Sequence, residues 1–302
     1  MKQPVAIVLA VIALPLLVTI LEASRYYVVH RHNGTLVSSG RERDYLLHVP
    51  ETYDRTRPTP LVISLHGAGL WGAAQQDMSR WSAVADREGF IVVYPSAAHE
   101  LGPRVWEHHP SDDSQKDVRF IADLIDALTS TYNIDASRIY ANGLSNGGGM
   151  SFALSCTLSD RIAAFGLVGA AHMTPWSWCT DQRPVPMISF HGTADRATPF
   201  TGGRSWVAPR PFPDIKQWTS NWARRNRCAP TPLESVVAAD VTRSEYQDCA
   251  DGAAVVLYTI IGGGHTWPGG GELPEWALGP VNRNIDASSE MWTFFSRHRL
   301  RQ

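Results

Sequence analysis

Short, wholly apolar runs alternate along this chain with longer stretches in which apolar residues recur every three or four positions. Leu61–Leu65, Phe90–Tyr94, Ala163–Val168, Met187–Phe190 and Val255–Ile261 are apolar segments of strand length. Near-continuous apolar runs of this kind belong to strands covered on both faces. Arg43–Val49, ending at Pro50, and the apolar Arg138–Asn142 also read as strands. Between them, Ala73–Arg87 reads as one helix, stopped by Gly89. Val118, Ile121, Leu124, Ile125 and Leu128 mark a second helix over 117–128. Further helices are expected from Gly147, over Asp214–Asn226 and over Ala287–Arg297. Strands alternating with helices specify an α/β chain with a mostly parallel central sheet and helices on both faces.

The first residues break this pattern. Met1-Lys2 precedes an almost wholly apolar stretch from Val5 to Leu21. One early cation before such a run reads as a secretory signal peptide or a signal anchor over 1–23. Residues 24–42 are polar and read as a linker or an edge hairpin, leaving 43–302 as the catalytic domain. No internal repeat and no second domain is visible. A chain of 302 residues, 44% of them hydrophobic, has material for a large core, and a net charge of −2 speaks against a nucleic acid partner. Contact with a membrane is expected only through the N-terminal segment, and the protein is expected to be a monomer.

Gly143-Leu144-Ser145-Asn146-Gly147 fits G-x-S-x-G and joins a strand to a helix. That turn pushes a serine hydroxyl out beyond the end of the sheet, where it can act as a nucleophile. A hydroxyl needs a base to take its proton, and the base needs an acid to orient it. On such sheets the partners follow in the order Ser, acid, His. Of eleven histidines only His265 and His298 come late enough. His298 lies between two arginines at the end of the last helix and reads as a surface residue. His265 sits in a glycine-rich loop straight after the last strong strand, which makes it the candidate base. Asp195 follows the strand before that one and is the candidate acid. Asp214 reads as a helix N-cap, Asp181 precedes the strand, and Asp240, Asp248 and Asp251 lie in a polar stretch. The oxyanion of a tetrahedral intermediate requires backbone donors, assigned here to the N–H groups of Ala68 and Asn146.

Four segments together carry a resemblance: Leu65-His66-Gly67-Ala68-Gly69, Asn142 to Gly148, His191-Gly192-Thr193-Ala194-Asp195, and Gly264-His265-Thr266-Trp267-Pro268-Gly269. From about Arg43 to the C-terminus the chain resembles the polyhydroxybutyrate depolymerase and feruloyl or acetylxylan esterase type of α/β-hydrolase. The resemblance implies an α/β-hydrolase fold and a cofactor-free serine carboxylic ester hydrolase, secreted, with Ser145 as nucleophile, Asp195 as acid and His265 as base. Its substrates would be polyester, hydroxyalkanoate or feruloyl- and acetyl-polysaccharide esters. Where such proteins often carry cysteines ahead of the D-V-x-F helix, this chain has a polar stretch, Val105–Ser114.

The four cysteines fall into two couples by spacing, which predicts bridges Cys156–Cys179 and Cys228–Cys249, each closing a loop of just over twenty residues. Eleven tryptophans are many for this length. Among those in expected loops (Trp106, Trp176, Trp178, Trp206, Trp267 and Trp276), Trp106 and Trp267 belong to segments near the candidate triad and are the candidate substrate contacts. His108, His109, Asp112 and Asp113 read as a solvated polar loop, so no metal is expected. Only about seventeen residues separate Val168 from Val185, which leaves no room there for a large lid domain. A serine peptidase of the same fold and a non-enzymatic binding protein on a hydrolase scaffold are the alternative functions.

Overall fold

The computed structural model describes residues 30–99, 102–108, 115–171, 179 and 183–301. The apolar leader, Trp176, Trp178, His109, Asp112, Asp113 and Asp181 lie outside these residues, as does most of the connection from Val168 to Val185.

In chain order the elements begin with β1 (Gly34–Ser38), β2 (Arg41–His48), β3 (Thr59–Leu65), α1 (Gly72–Ser79), α2 (Trp81–Glu88), β4 (Ile91–Pro95), α3 (Gln115–Thr131), β5 (Ile134–Leu144) and α4 (Asn146–Thr157). They continue with β6 (Ala164–Val168), β7 (Met187–Gly192), β8 (Gly203–Ser205), β9 (Ala208–Phe212), α5 (Ile215–Arg225), β10 (Leu233–Ala238), β11 (Val241–Tyr246), β12 (Val255–Ile260), α6 (Glu275–Leu278) and α7 (Ala287–Phe295). Ten strands form one sheet in the order β1-β2-β4-β3-β5-β6-β7-β12-β11-β10. From β4 across to β12 all neighbours run parallel; β2 and β11 join antiparallel at the two flanks.

The parallel strands are mostly apolar because both faces are covered. Along β3, Leu61, Ile63 and Leu65 enter one core while Val62 enters the other. The first core takes Leu124 of α3, Phe152 of α4 and Trp222 of α5; the second takes Met78 of α1, Trp81 of α2 and Phe295 of α7. Both predicted bridges, Cys156–Cys179 and Cys228–Cys249, are present. The first ties the end of α4 to the far side of the connection leaving β6. Among the described residues no helix is long and apolar enough to cross a membrane, and no group of three or more His, Cys, Asp and Glu side chains is placed to hold a metal ion.

Three local features differ from the expectation. The single helix over 73–87 is two helices, because Arg80 takes a left-handed conformation (φ 57°) and ends α1 with its N–H on Gln76 O. Periodicity does not register one such residue. The stretch around Asp240, read as merely polar, contains the antiparallel pair β10–β11; β10 is exposed on both faces, so neither strand shows the apolar run of its buried neighbours. The small hairpin β8–β9 is almost all solvent-facing and was equally silent.

Candidate active site

Five loops leave the carboxyl ends of β3, β5, β6, β7 and β12, and the candidate residues lie on them. Ser145 stands between β5 and α4 with φ 53° and ψ −118°, a conformation that side-chain-bearing residues adopt only under constraint. Its N–H is held by Val168 O at the end of β6 (2.9 Å). Gly147 is required here: a Cβ on it would collide with the carbonyl oxygens of Leu65 and His66. Strand β3 therefore sits directly against the first turn of α4. Ser145 is half-buried, and among the described residues its hydroxyl makes no hydrogen bond.

The loop after β3 is held from several sides. Trp106 Nε1 donates to His66 O (3.0 Å) and Gly69 N–H to Arg104 O (2.8 Å). The His66 ring bonds Gly67 O through Nδ1 (2.8 Å) and faces the N–H of Ala97 with Nε2 (3.0 Å). A carbonyl only accepts and an amide N–H only donates, so His66 is neutral with its proton on Nδ1. Burial lowers its pKa to about 4, which agrees with that assignment. The loop thus fixed leaves Ala68 exposed. Neither the Ala68 nor the Asn146 amide N–H has an acceptor among the described residues. The Asn146 side chain was not singled out in the sequence. It accepts the Trp106 N–H on Oδ1 (2.7 Å) and donates from Nδ2 to Trp106 O (3.0 Å).

Asp195 and His265 are brought together from 70 residues apart by the parallel pairing of β7 with β12. Asp195 Oδ1 accepts the N–H groups of Ala197 (2.8 Å) and Thr198 (2.7 Å), and Oδ2 lies 2.8 Å from His265 Nδ1. The Asp195 side chain is 0% and the His265 side chain 6% exposed. The bond fixes the proton on Nδ1 and leaves Nε2 to accept another. The rejected aspartates have other partners: Asp214 caps α5 by accepting Gln217 N–H, and Asp240 holds Asn282 and Asn284. Ser145 and this pair both adjoin Gly169, and among the described residues no hydrogen bond joins Ser145 Oγ to His265. The carbonyl preceding Gly169 holds the Ser145 amide, and a Cβ on Gly169 would lie 3.0 Å from His265 Nδ1 and 3.2 Å from Asp195 Oδ2. A strand-end serine, a histidine oriented by a buried carboxylate and two open amides are parts suited to acyl transfer.

Residues 44–174 match the family described as Esterase PHB depolymerase. Feruloyl esterase B of Piromyces equi is 32% identical over 74% of this chain, and the chain spans 42% of that protein's length. The putative esterase NocK of Nocardia uniformis subsp. tsuyamanensis is 29% identical over 78% of the chain and 73% of its own length. In these matches the chain is similar to esterases of the polyhydroxybutyrate depolymerase and feruloyl esterase type. The fold agrees: an acetyl xylan esterase from Aspergillus awamori superposes with a TM-score of 0.61 at 17% identity, over 84% of this chain and 94% of the other.

The two tryptophans expected to touch substrate do not face a cleft. Trp106 is 1% exposed, with its ring between His66 and Phe120. Trp267 is fully buried, and its Nε1 donates to Ser288 Oγ (3.0 Å). Both indoles are core side chains whose N–H groups are satisfied inside, so their nearness in sequence to the candidate residues reflects support rather than contact. His108, expected in a solvated loop, is buried; a Cβ on Gly149 of α4 would come within 2.8 Å of its Nε2. A polar sequence did not announce that burial. Among the described residues the exposed tryptophans are Trp206, on the hairpin after Asp195, and Trp276, on α6, whose Leu278 carbonyl accepts the His265 N–H.

Proposed function

We propose that this protein is an exported, monomeric serine esterase that cleaves feruloyl or acetyl esters of polysaccharides through an acyl-enzyme. The buried Asp195–His265 pair, with Nδ1 committed to the carboxylate, is the observation that carries the reading. Ser145 attacks the ester carbonyl while His265 Nε2 takes its proton. Asp195 stabilises the imidazolium that results. The oxyanion is received by the N–H groups of Ala68 and Asn146, and His265 then protonates the leaving alcohol. Water, activated by the same imidazole, releases the acid. The feruloyl preference rests on the printed name of the Piromyces equi relative, and export rests on the apolar leader together with two disulfides, which persist in oxidising compartments.

Hydrolysis of p-nitrophenyl acetate, methyl ferulate, acetylated xylan and polyhydroxybutyrate film by wild-type protein and Ser145→Ala tests this. Wild type should cleave the small esters and release acid from the xylan esters. The variant should lose on the order of 10⁴-fold or more in kcat. Equal turnover by the variant sinks the mechanism; cleavage of the polyester film alone sinks the substrate assignment.

A further inference from the structure

A second histidine lies against the candidate acid. His191, on β7, is fully buried, and its Nε2 is 2.7 Å from Thr198 O and 3.5 Å from Asp195 Oδ2. Since a carbonyl oxygen only accepts, Nε2 carries the proton. Among the described residues Nδ1 is buried without a partner, so the ring is neutral. Desolvation lowers its pKa, in keeping with that form.

We propose that His191 is a positioning residue that buckles the acid-bearing turn and thereby fixes the carboxylate His265 uses. The turn from Asp195 to Thr198 is closed on itself by the two amide bonds to Asp195 Oδ1, its start is held by Asp195 N–H on Gly192 O, and Ser205 Oγ of the solvent-facing hairpin β8–β9 donates to Ala197 O. The two Oδ1 bonds set its shape, and the Ser205 bond reaches it from the solvent side. The His191–Thr198 bond ties the far end of the turn to β7, inside the sheet. The same N–H points a partial positive charge toward Oδ2, the oxygen that meets His265. Asp195 and His265 are the titratable groups that face the ring; Phe200 lies 6.0 Å away centroid to centroid and Thr259 stands opposite on β12. Without the buckle the carboxylate wanders and holds the imidazolium less well, so the transition state loses stabilisation while ester binding does not change. The kinetic consequence rests on the esterase reading, and the effect on His265 rests on geometry alone.

Three variants separate the possibilities. His191→Phe removes the donor and keeps the ring volume. His191→Asn is polar but too short to reach Thr198 O. His191→Gln restores a donor at about the distance of Nε2. Two quantities are read: kcat and KM for p-nitrophenyl acetate across pH, and the His265 titration by NMR of the full chain labelled at histidine Cε1. For Phe and Asn we expect kcat lower by about ten- to a hundred-fold at unchanged KM, and a His265 pKa lower by roughly half a unit or more, moving the acid limb of the rate profile down. Gln should restore both toward wild type. Should the Phe variant not fold, Asn against Gln gives the same comparison. Folded Phe or Asn variants with wild-type kcat and wild-type His265 titration overturn the proposal, as does equal loss in Gln, which would mark a role in packing only. A wild-type chain without esterase activity overturns the functional reading, and the His265 titration still decides the positioning role.

Discussion

The side chain of Asn146 clasps the backbone of Trp106 from both sides, accepting its N–H at 2.7 Å and donating to its C=O at 3.0 Å. Residue 146 is thus bound twice into the site: its main chain offers a candidate oxyanion donor, and its side chain anchors the strand of loop that in turn holds the His66–Gly69 segment through Arg104 and the Trp106 indole. Two loops from different strands are set at a fixed spacing by one amide.

Asn146→Ala keeps the backbone N–H and removes the clasp. Two buried or half-buried backbone groups of Trp106 then lose their partners, at a cost of about 1–3 kcal/mol each if left unpaired. The expected outcome is a lower urea midpoint and a kcat reduced by about ten-fold, with Ser145 still reactive toward a fluorophosphonate probe. Unaltered kcat and midpoint would show that the loops keep their spacing without it.

Trp106 and Trp267 should respond as core residues. Truncation of a buried indole to Ala typically costs about 3–5 kcal/mol. Both Trp→Ala variants are expected to melt well below wild type. For Trp267→Phe, which keeps an aromatic ring but leaves Ser288 Oγ without its donor, a milder loss with unchanged KM for methyl ferulate is expected. Calorimetry beside KM measurement decides; a raised KM at wild-type stability would return Trp267 to the substrate.

His66 makes stability depend on pH. Its folded pKa of about 4 lies below the ordinary 6.5, so between these values the unfolded chain binds a proton that the folded chain refuses. The stabilisation is complete above pH 6.5 and is lost as pH falls toward 4, by up to about 3 kcal/mol for a shift of this size. His298, also lowered to about 4 by burial, adds in the same direction. Urea unfolding of wild type and His66→Asn between pH 4 and 7 tests this: the variant should be less stable at pH 7 and show a shallower decline on acidification. An equally steep decline in both would assign the proton uptake elsewhere.

Much of this architecture was legible in one dimension. The buried strands had to be mostly apolar, because helices cover both faces, and that leaves an unmistakable run in β3, β4 and β12. The cap on α5 and both cysteine pairings are also local signals, readable from residue type and spacing. The flank hairpin β10–β11 was not legible, since strands with solvent on one or both faces carry no apolar run.

The sequence by itself therefore determined the alternation of elements and named the residues at the strand ends. Only the tertiary structure decided which of their neighbours face inward. Trp106 and Trp267 became core, and the side chains of Asn146, His66 and His191 became the ties that hold the loops. Such ties pair a side chain with a backbone atom on another strand's loop. They depend on the register of parallel strands joined by long crossovers, and no spacing along one segment of chain encodes that register.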